Sequence, residues 1–325
     1  MSFEIRKYSI DFFEIWNDFI SKSKNGTFLF HRNFMEYHGD RFIDFSLFVF
    51  KDEKLVAVLP ANIVDNEIYS HQGLTYGGLI VSERLRSTDF VLIFQNVLQF
   101  LEGFNFTHLY IKDIPSFYTN QFSDEIKYLQ FVLDAEIYRK DICSVINLSE
   151  SFHISKSVKR DFNISVKKNH KIDYDGNFDL FWNEILEPNL MNTFQTKPVH
   201  SLKEILYLKN LFPENIRQIN VFSEEGKILG GTTLFISKNV VHSQYISLNK
   251  DIANEGVLDF LYLSLIEYFK KEKKYFDFGI SNENQGRNIN KGLLFWKEKF
   301  GARPAIQEFY KFETKSFSKL DHLYL

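Results

Sequence analysis

Apolar positions along this chain follow two spacings: every second residue, as in strands, and every third or fourth residue, as in helices. In the first half the spacing predicts, in chain order, two strands within 47–63, a strand at 67–70, a helix at 87–101, a strand at 108–114, a helix at 123–133 with Ser123 as its cap, and a strand at 136–148. In the second half it predicts two strands within 221–236, a strand at 240–248, a helix at 257–271, a strand at 275–280, a helix at 290–300 and a strand at 305–312. Both halves therefore have the order strand, strand, strand, helix, strand, helix, strand, which indicates a structural repeat.

Further helices are predicted outside this repeat. An amphipathic helix is predicted at 9–23, with Ser9 as a candidate N-cap. Between the halves, the segment SKSVKRDFNISVKKNHKI at 155–172 predicts a basic helix. A later helix begins at SLKE, where Ser201 and Glu204 have the spacing of a capping box. No linker rich in Pro, Gly or Ser separates the halves, so we expect them to pack tightly and to share a cleft.

Composition supports a folded, two-domain protein and limits the classes of partner that it can attract by charge. The 325 residues are 44% hydrophobic and 17% aromatic, which is enough apolar surface for large cores and argues against disorder. The net charge of −3 gives no global attraction to nucleic acid or to an anionic membrane. We therefore expect no nucleic-acid partner and no membrane insertion. We also expect a monomer or homodimer that acts on small-molecule substrates.

The single cysteine, Cys143, excludes an intramolecular disulfide and a cysteine-based metal site. No apolar run approaches the roughly 20 residues that a membrane-spanning helix needs. The N-terminal sequence MSFEIRKYSIDFFEIW lacks a basic head followed by an apolar stretch, so we expect no signal peptide and a cytoplasmic protein. No metal-binding spacing such as HExxH is present, and we expect no metal cofactor.

The segment at 275–301, YFDFGISNENQGRNINKGLLFWKEKFG, carries the densest polar chemistry of the chain. A short apolar strand leads into a loop of acids, amides and glycines and then into a helix, an arrangement typical of a substrate pocket. Asp277 lies between Phe276 and Phe278, and a buried carboxylate needs partners. It is either a ligand or base for an acceptor amine or a structural acid. From the loop we select Glu283 and Asn290 as substrate-binding candidates.

A second polar segment, HQGLTYGG at 71–78, follows the first predicted hairpin. Its glycines permit close approach to a ligand, and His71, Gln72 and Tyr76 offer polar groups. His71 is a possible general base because the pKa of histidine lies near working pH; the alternative is a bulged strand with a satisfied histidine. The sequence HSQY at 242–245 follows the second hairpin in the same way, and Gln244, Tyr245 and His200 are weaker substrate-binding candidates.

The order of the elements resembles the GNAT acyltransferase fold in tandem, and three segments resemble the Fem-type peptidoglycan aminoacyltransferases. These segments are the basic helix SVKRDFNISVKKN, the strand YFDFGIS, and GLLFWKEKFG, which is similar to a family pattern G-L-x-x-F/W-K-x-x-F-G. The resemblance implies an α/β (α+β) fold of two GNAT-like domains, 1–152 and 153–325, each a mixed, mostly antiparallel sheet flanked by helices. It also implies that Lys297 acts with the reacting substrates and that Lys159 and Arg160 clamp phosphates.

Within this superfamily, the chain is similar to bacterial sugar N-acyltransferases with two GNAT domains. That resemblance implies transfer of an acyl group from acyl-CoA, which in some members is a hydroxyacyl-CoA, to the amine of a dTDP-linked amino sugar during O-antigen or capsule synthesis. The C-terminal domain would bind the donor, and the sugar nucleotide would lie in the shared cleft near Arg160, His71 and Asp277. Direct attack in a ternary complex is expected because no covalent nucleophile is evident.

The donor site is predicted where the strand at 240–248 leads into the next helix. Free backbone N–H groups at a helix N-terminus bind a pyrophosphate well, so we select Asn254, Gly256 and Val257, together with Ser247 at the end of the strand. The alternative is an ordinary strand-to-helix turn. This segment, NKDIANEGVLDF, contains one glycine, whereas the usual GNAT pyrophosphate loop contains two small residues.

Two other functions remain open on the sequence. One is a Fem-like transferase that uses aminoacyl-tRNA and acts on a peptidoglycan precursor. The other is a catalytically inactive double-GNAT binding protein, which the unusual pyrophosphate loop suggests.

Overall fold

The computed structural model describes residues 3–249 and 256–324. In chain order, the strands are β1 Phe3–Lys7, β2 Ile43–Asp44, β3 Leu47–Lys51, β4 Lys54–Leu59, β5 Asn62–Val64, β6 Glu67–Tyr69, β7 Ile80–Val81, β8 His108–Lys112, β9 Glu136–Asn147, β10 Lys171–Asp173, β11 Ile216–Phe222, β12 Ile228–Ile236, β13 Val240–Leu248, β14 Tyr275–Ile280, β15 Asn282–Glu283, β16 Asn288–Ile289 and β17 Arg303–Glu313. The α-helices are α1 Phe13–Ser21, α2 Arg32–Met35, α3 Ser87–Gly103, α4 Glu125–Val132, α5 Lys156–Lys167, α6 Phe178–Phe181, α7 Glu187–Phe194, α8 Leu202–Leu211, α9 Val257–Phe269 and α10 Lys291–Glu298. A π-helical turn, Trp182–Leu186, joins α6 to α7, and the chain closes with a 3-10 helix, Thr314–His322.

The chain forms two compact units. Unit 1 comprises Met1–Asp141 and Ile306–Leu325, and unit 2 comprises Ile142–Ala305. This division differs from the one at residues 152 and 153 that follows the order of elements along the chain. The difference arises because most of β17, the last strand, lies in unit 1, where Phe309–Glu313 pairs with β8.

Unit 1 is built on a four-stranded sheet and a second set of paired strands. The sheet has the order β1-β3-β4-β7, and the second set has the order β17-β8-β6-β5-β2. Helix α3 buries one face on the core, where Phe90, Phe94, Val97 and Leu101 recur at the spacing of one side of a helix. This apolar face explains why the sequence 87–103 forms a helix and where it packs.

Unit 2 has the strand order β10-β11-β12-β13-β14-β9, with helix α9 packed on its core. Val257, Leu261, Leu265 and Phe269 recur every four residues along α9 and are buried. The neighbouring strands β11, β12 and β13 are antiparallel, whereas β13 and β14 are parallel. Each unit is therefore a mixed, mostly antiparallel set of strands flanked by helices, which confirms the fold class expected from the sequence.

The predicted order of elements is present in both halves of the chain. The seven predicted elements of the first half correspond to β3, β4, β6, α3, β8, α4 and β9, and those of the second half to β11, β12, β13, α9, β14, α10 and β17. The two-residue strands β2, β7, β15 and β16 escaped prediction, since they contain too few residues to show a period, and β1 and β10 were not predicted either. Ser123 does not cap α4: this helix begins at Glu125, after Asp124, and no side chain caps it.

Strands β13 and β14 are parallel neighbours over three residue pairs, the last of which is His242 opposite Asp277. Strand β13 then continues to Leu248 and stays paired with β12 along its length. Gln244 is an extra residue in this ladder, because Tyr245 lies opposite Thr233 and Ser243 lies opposite Leu234. The two parallel strands thus part directly after His242 and Asp277.

The corresponding strands of unit 1, β6 and β8, are also paired over three residues and end at Tyr69 opposite Tyr110. Beyond this pair, backbone hydrogen bonds continue to join the segment after β6 to β8. Ser70 N donates to Tyr110 O at 2.8 Å, and Gly77 N donates to Lys112 O at 2.7 Å. Unit 1 therefore lacks, among its described residues, the separation of parallel strands that unit 2 has.

Within the described part of the chain, no helix combines the length and the apolarity that crossing a bilayer requires.

The capping box predicted at the start of α8 is confirmed, and its removal should be measurable. Ser201 N donates to Glu204 Oε2 at 2.7 Å, and Glu204 N donates to Ser201 Oγ at 3.3 Å. We expect Ser201→Ala to lower the free energy of unfolding by about 1 kcal/mol, because one helix N–H loses its partner. Urea denaturation measures this change. The exposed Ser149→Ala is the control, with an expected change within about 0.5 kcal/mol; equal effects of both substitutions would contradict the assignment.

Candidate active site

Asp277 is the buried acid at the centre of the candidate site. Only 2% of its surface is exposed, and both carboxylate oxygens are bonded. Oδ2 lies 2.9 Å from His242 Nδ1, and Oδ1 accepts from Gly279 N at 2.7 Å. An ionised carboxylate can only accept hydrogen bonds, so the contact with His242 places a proton on Nδ1; when the ring is neutral, Nε2 is then an acceptor.

The parallel register of β13 and β14 produces this pair. Because His242 and Asp277 are directly opposite each other, their side chains lie on the same face of the strands. The side chain of His242 is 15% exposed and that of Asp277 is 3% exposed. The imidazole therefore stands between the buried carboxylate and the surface, as a base oriented by a third group requires.

Lys297 on α10 reaches the turn that follows Asp277. Its ammonium donates to Gly279 O at 3.0 Å and to Ile280 O at 2.7 Å, and 3% of the residue is exposed. Burial lowers the pKa of Lys297 to about 8, while Asp277 and, less strongly, Cys143 oppose that shift. Asp277 and Lys297, which the sequence selects as separate catalytic candidates, thus lie on either side of one turn.

Glu283 and Asn290 also come together. Asn290 Nδ2 donates to Glu283 Oε1 at 3.0 Å, and Asn290 Oδ1 accepts from Leu293 N at 3.0 Å as the N-cap of α10. Both residues are exposed, at the β15–β16 hairpin and the start of α10. Their contacts fasten the hairpin to the helix that carries Lys297.

Tyr245 and His200 form a second pair in unit 2. Tyr245 Oη lies 2.6 Å from His200 Nδ1 and accepts from His200 N at 3.1 Å. Burial raises the pKa of Tyr245 to about 12, so its hydroxyl stays protonated. Gln244 is the extra residue of the β13 bulge, and Ser247 Oγ accepts from Asn189 Nδ2 at 2.8 Å. The structure thus gives Tyr245, His200 and Ser247 protein partners.

At the predicted donor site, the described residues are Gly256, Val257 and the helix that follows; Asn254 lies outside the described residues. Gly256 has a φ of 70°, and a Cβ there would overlap the backbone carbonyl of Asp161 on α5. Close packing of two helices therefore requires this glycine. Val257 is buried in the core as the first residue of α9.

A carboxylate lies in the first turn of α9. Asp259 Oδ1 accepts from Trp296 Nε1 at 3.2 Å. Burial raises the pKa of Asp259 to about 6; the Trp296 bond opposes this shift, and the neighbouring Asp161 adds to it. The negative charge of two acids close to this helix N-terminus competes with any anionic ligand that binds there.

The basic helix α5 is exposed to solvent. Arg160 Nε donates to Asp161 Oδ1 at 2.8 Å, and the side chain of Arg160 is 71% exposed. Lys159 borders a surface groove of about 680 Å3, where Tyr174 and Tyr268 stack with ring centroids 4.9 Å apart. Both basic residues are therefore accessible to a ligand.

Two of the three candidates of unit 1 bond to other segments of that unit, and the third, His71, is buried. His71 is 4% exposed and has a φ of 63°. Gln72 N donates to Asn62 Oδ1 at 2.7 Å, and Tyr76 Oη donates to Thr27 Oγ1 at 3.1 Å. Burial lowers the pKa of His71 to about 3, with His38 contributing. This differs from the expectation of a base that titrates near working pH, because the ring is removed from water.

His242 is a member of this cluster that sequence reasoning did not select. The sequence shows it only as the first letter of HSQY, 35 positions before Asp277 along the chain. The parallel pairing of their two strands brings them together. At the third pair of the equivalent ladder, unit 1 has Tyr69 and Tyr110, whose rings stack 4.5 Å apart and whose hydroxyls both donate to Glu67. The two units therefore differ at the position where unit 2 has a base and an acid.

Comparison with known proteins shows the fold. No family model and no curated protein sequence matches the chain. The structure of FemX matches with a TM-score of 0.65 at 9% identity, covering 98% of this chain and 99% of that one. L-PGS from Bacillus licheniformis matches with a TM-score of 0.58 at 12% identity, covering 98% of both chains. A tandem GNAT protein from the clavulanic acid biosynthesis pathway matches with a TM-score of 0.51 at 10% identity, covering 96% of this chain and 99% of that one.

The chain therefore has a tandem GNAT fold of the Fem-like kind. At such low identities the likeness is one of fold, and function has to be argued from the site. Over residues 3–249 and 256–324, no group of three or more His, Cys, Asp or Glu side chains is arranged to hold a metal ion.

The buried His71 gives a testable pH dependence of stability. An unfolded histidine has a pKa near 6.5, so between about pH 6.5 and 3 the unfolded chain binds a proton that the native state excludes. Stability from this group is complete above about pH 6.5 and is lost as the pH falls through that window. We expect the free energy of unfolding to fall by up to about 1.4 kcal/mol per pH unit there, measured by urea denaturation at a series of pH values.

The control is His71→Asn. Asparagine accepts the left-handed backbone conformation of this position and does not titrate. The variant should therefore lose stability less steeply between pH 6.5 and 4 than the native protein. Parallel pH profiles for the two proteins would show that another group causes the slope.

Proposed function

We propose that this protein is an N-acyltransferase whose chemistry takes place in unit 2. The observation that carries the proposal is the His242–Asp277 pair, at the point where β13 and β14 part. Acyl transfer to an amine needs a base for the amine, hydrogen-bond donors for the oxyanion, and a place for two substrates side by side. The tandem GNAT fold, shared with solved acyltransferase structures, supports the same conclusion.

In the proposed reaction, His242 Nε2 takes a proton from the acceptor ammonium or from the attacking amine. Asp277 holds Nδ1–H and stabilises the imidazolium that forms. The amine nitrogen then bonds to the acyl carbon, and backbone N–H groups at the edge of β13 beyond His242 stabilise the oxyanion. Breaking of the carbon–sulfur bond releases the thiolate, and the His242 imidazolium gives it the proton taken from the amine, which leaves the amide, the thiol and a neutral His242. No covalent enzyme intermediate is needed.

For the substrates, we propose acyl-CoA as donor and the amine of a nucleotide-linked amino sugar as acceptor, as the resemblance to sugar N-acyltransferases implies. The exposed Lys159 and Arg160 on α5 support an acceptor that carries phosphates. We propose further that the acylated product is used to build a surface polysaccharide. The donor phosphates would approach the start of α9, at Gly256 and Val257.

The base assignment predicts the effect of two substitutions. With acyl-CoA and a panel of dTDP-amino sugars, His242→Gln should lower kcat about 10²–10⁴-fold, the usual contribution of a general base. Asp277→Asn should also lower kcat strongly, because an amide does not hold the same imidazole tautomer. Thiol release measures both effects.

The matched control is His153→Gln, an exposed histidine of the same unit that should leave kcat unchanged. If His242→Gln retains the native kcat, the base assignment is wrong. If the native protein releases no thiol with any donor and acceptor of a broad panel, acyl-CoA-dependent transfer to amino sugars is wrong.

One observation favours a second candidate, Fem-like transfer from aminoacyl-tRNA. Asp259 and Asp161 bring negative charge to the start of α9, where a CoA pyrophosphate would otherwise meet free N–H groups. A donor that does not place a pyrophosphate there avoids this repulsion.

The two candidates differ in what binds. Under the CoA proposal, CoA raises the melting temperature and tRNA does not bind; under the alternative, tRNA binds with an affinity that falls steeply with salt. Thermal melts with CoA and filter binding of tRNA at two salt concentrations distinguish them. Asp259→Asn should increase the shift that CoA produces if the phosphates lie at α9.

A further inference from the structure

We propose that Lys297 is a positioning residue that acts on His242 through the turn at Gly279 and does not touch a substrate. The proposal deepens the proposed function, since it assigns a role within the same site. It departs from the role that the Fem-like resemblance implies, in which this lysine works on the reacting substrates.

A continuous series of hydrogen bonds joins Lys297 to His242. The ammonium donates to Gly279 O and Ile280 O, at 3.0 and 2.7 Å. The N–H of the same Gly279 donates to Asp277 Oδ1 at 2.7 Å. The other oxygen of Asp277 then binds His242 Nδ1 at 2.9 Å. A displacement of the Gly279 turn would therefore move the carboxylate that orients the imidazole.

The turn at Gly279 needs hydrogen-bond donors from outside its own strand. Its φ of 73° is a conformation that favours glycine. The ladder between β14 and β9 is interrupted there, because the register shifts between Asp277 and Ile280. Backbone carbonyls that leave a ladder bond to another donor or to water. Lys297 supplies that donor from a separate helix.

The turn also lies close to the imidazole. A Cβ added at Gly279 would lie 3.2 Å from His242 Cε1, which is closer than ordinary van der Waals contact. The turn therefore fixes the ring through Asp277, and a side chain at Gly279 would press on the ring.

The surroundings of Lys297 favour a structural contact over a substrate contact. Its charged and titratable neighbours are Asp277 on β14 and Cys143 on β9, and His242 on β13 lies beyond Asp277. Two of the three ammonium hydrogens are taken by carbonyls, and 3% of the residue is exposed. Burial lowers the pKa of the amine to about 8, which accords with an ammonium held inside the protein.

The test observes the His242 ring in the protein without substrates. In proton NMR, the Nδ1–H that binds Asp277 should give a low-field signal, assigned by its loss in His242→Gln. We expect Lys297→Met to broaden or abolish this signal, and Lys297→Arg, which still donates to carbonyls, to retain it. In the thiol-release assay, Lys297→Met should lower kcat about 10²-fold, the effect of misplacing a catalytic group, with KM changed less than about 3-fold.

The matched control is Lys273→Met. Lys273 also donates to two backbone carbonyls, Ser237 O at 2.8 Å and Lys238 O at 3.5 Å, and burial also lowers its pKa. It has no contact with the Gly279 turn among the described residues. Its loss should leave the His242 signal unchanged, which separates positioning of the ring from the general cost of removing a half-buried lysine.

If Lys297→Met keeps the native signal while kcat falls, Lys297 acts on the substrates and the proposal is overturned. If Lys297→Met does not fold, Gly279→Ala replaces it: the added methyl displaces the turn while Lys297 remains, and a native His242 signal in that variant would overturn the proposal. The NMR signal does not depend on turnover. Failure of every acyl donor would therefore refute the proposed function and leave the positioning role standing.

Discussion

The candidate site depends on one constraint, a parallel ladder between β13 and β14 that stops after its third residue pair. The ladder brings His242 and Asp277 to the same face, and its end leaves the remainder of β13 unpaired on that side among the described residues. A longer ladder would close the space that the proposed reaction needs. A shorter ladder would separate His242 from Asp277. The bulge at Gln244, two residues after His242, re-aims the following side chains of β13.

Each unit has a parallel ladder of three residue pairs, but the side chains at its last pair differ between the units. In unit 1, Tyr69 and Tyr110 stack and share Glu67, and the backbone of Ser70 and Gly77 closes the strands. There, Lys112 donates to the carbonyls of Gln72 and Leu74, and burial lowers its pKa to about 8. Lys297 does the same for the Gly279 turn in unit 2. In both units a lysine thus donates to the carbonyls of an irregular turn, but only in unit 2 does that turn carry the acid of a His–Asp pair.

The sequence predicted much of the fold because long elements carry a clear period. Helices α3 and α9 show an apolar residue every three or four positions, and strands β11 to β14 are β-branched or aromatic runs bounded by turns. The capping box at Ser201 was readable because it lies within four consecutive residues. Short strands such as β2 and β7 were not, since two residues have no period. For the site, Asp277 could be recognised as a charged residue between two aromatic ones, and Lys297 by its match to the family pattern. His71, in contrast, was favoured as a base, although its burial makes it a poor one.

The sequence by itself determined the order of elements, the repeat, the apolar faces of the helices and the polar character of the segment after β14. These properties are local, since each depends on residues a few positions apart. The tertiary structure alone decided that His242 meets Asp277, that Gly256 serves the packing of α9 on α5, and that Lys297 donates to the Gly279 turn. Such contacts depend on the register between strands and on the distance between helices. Many residues together set those quantities, so no short stretch of sequence displays them.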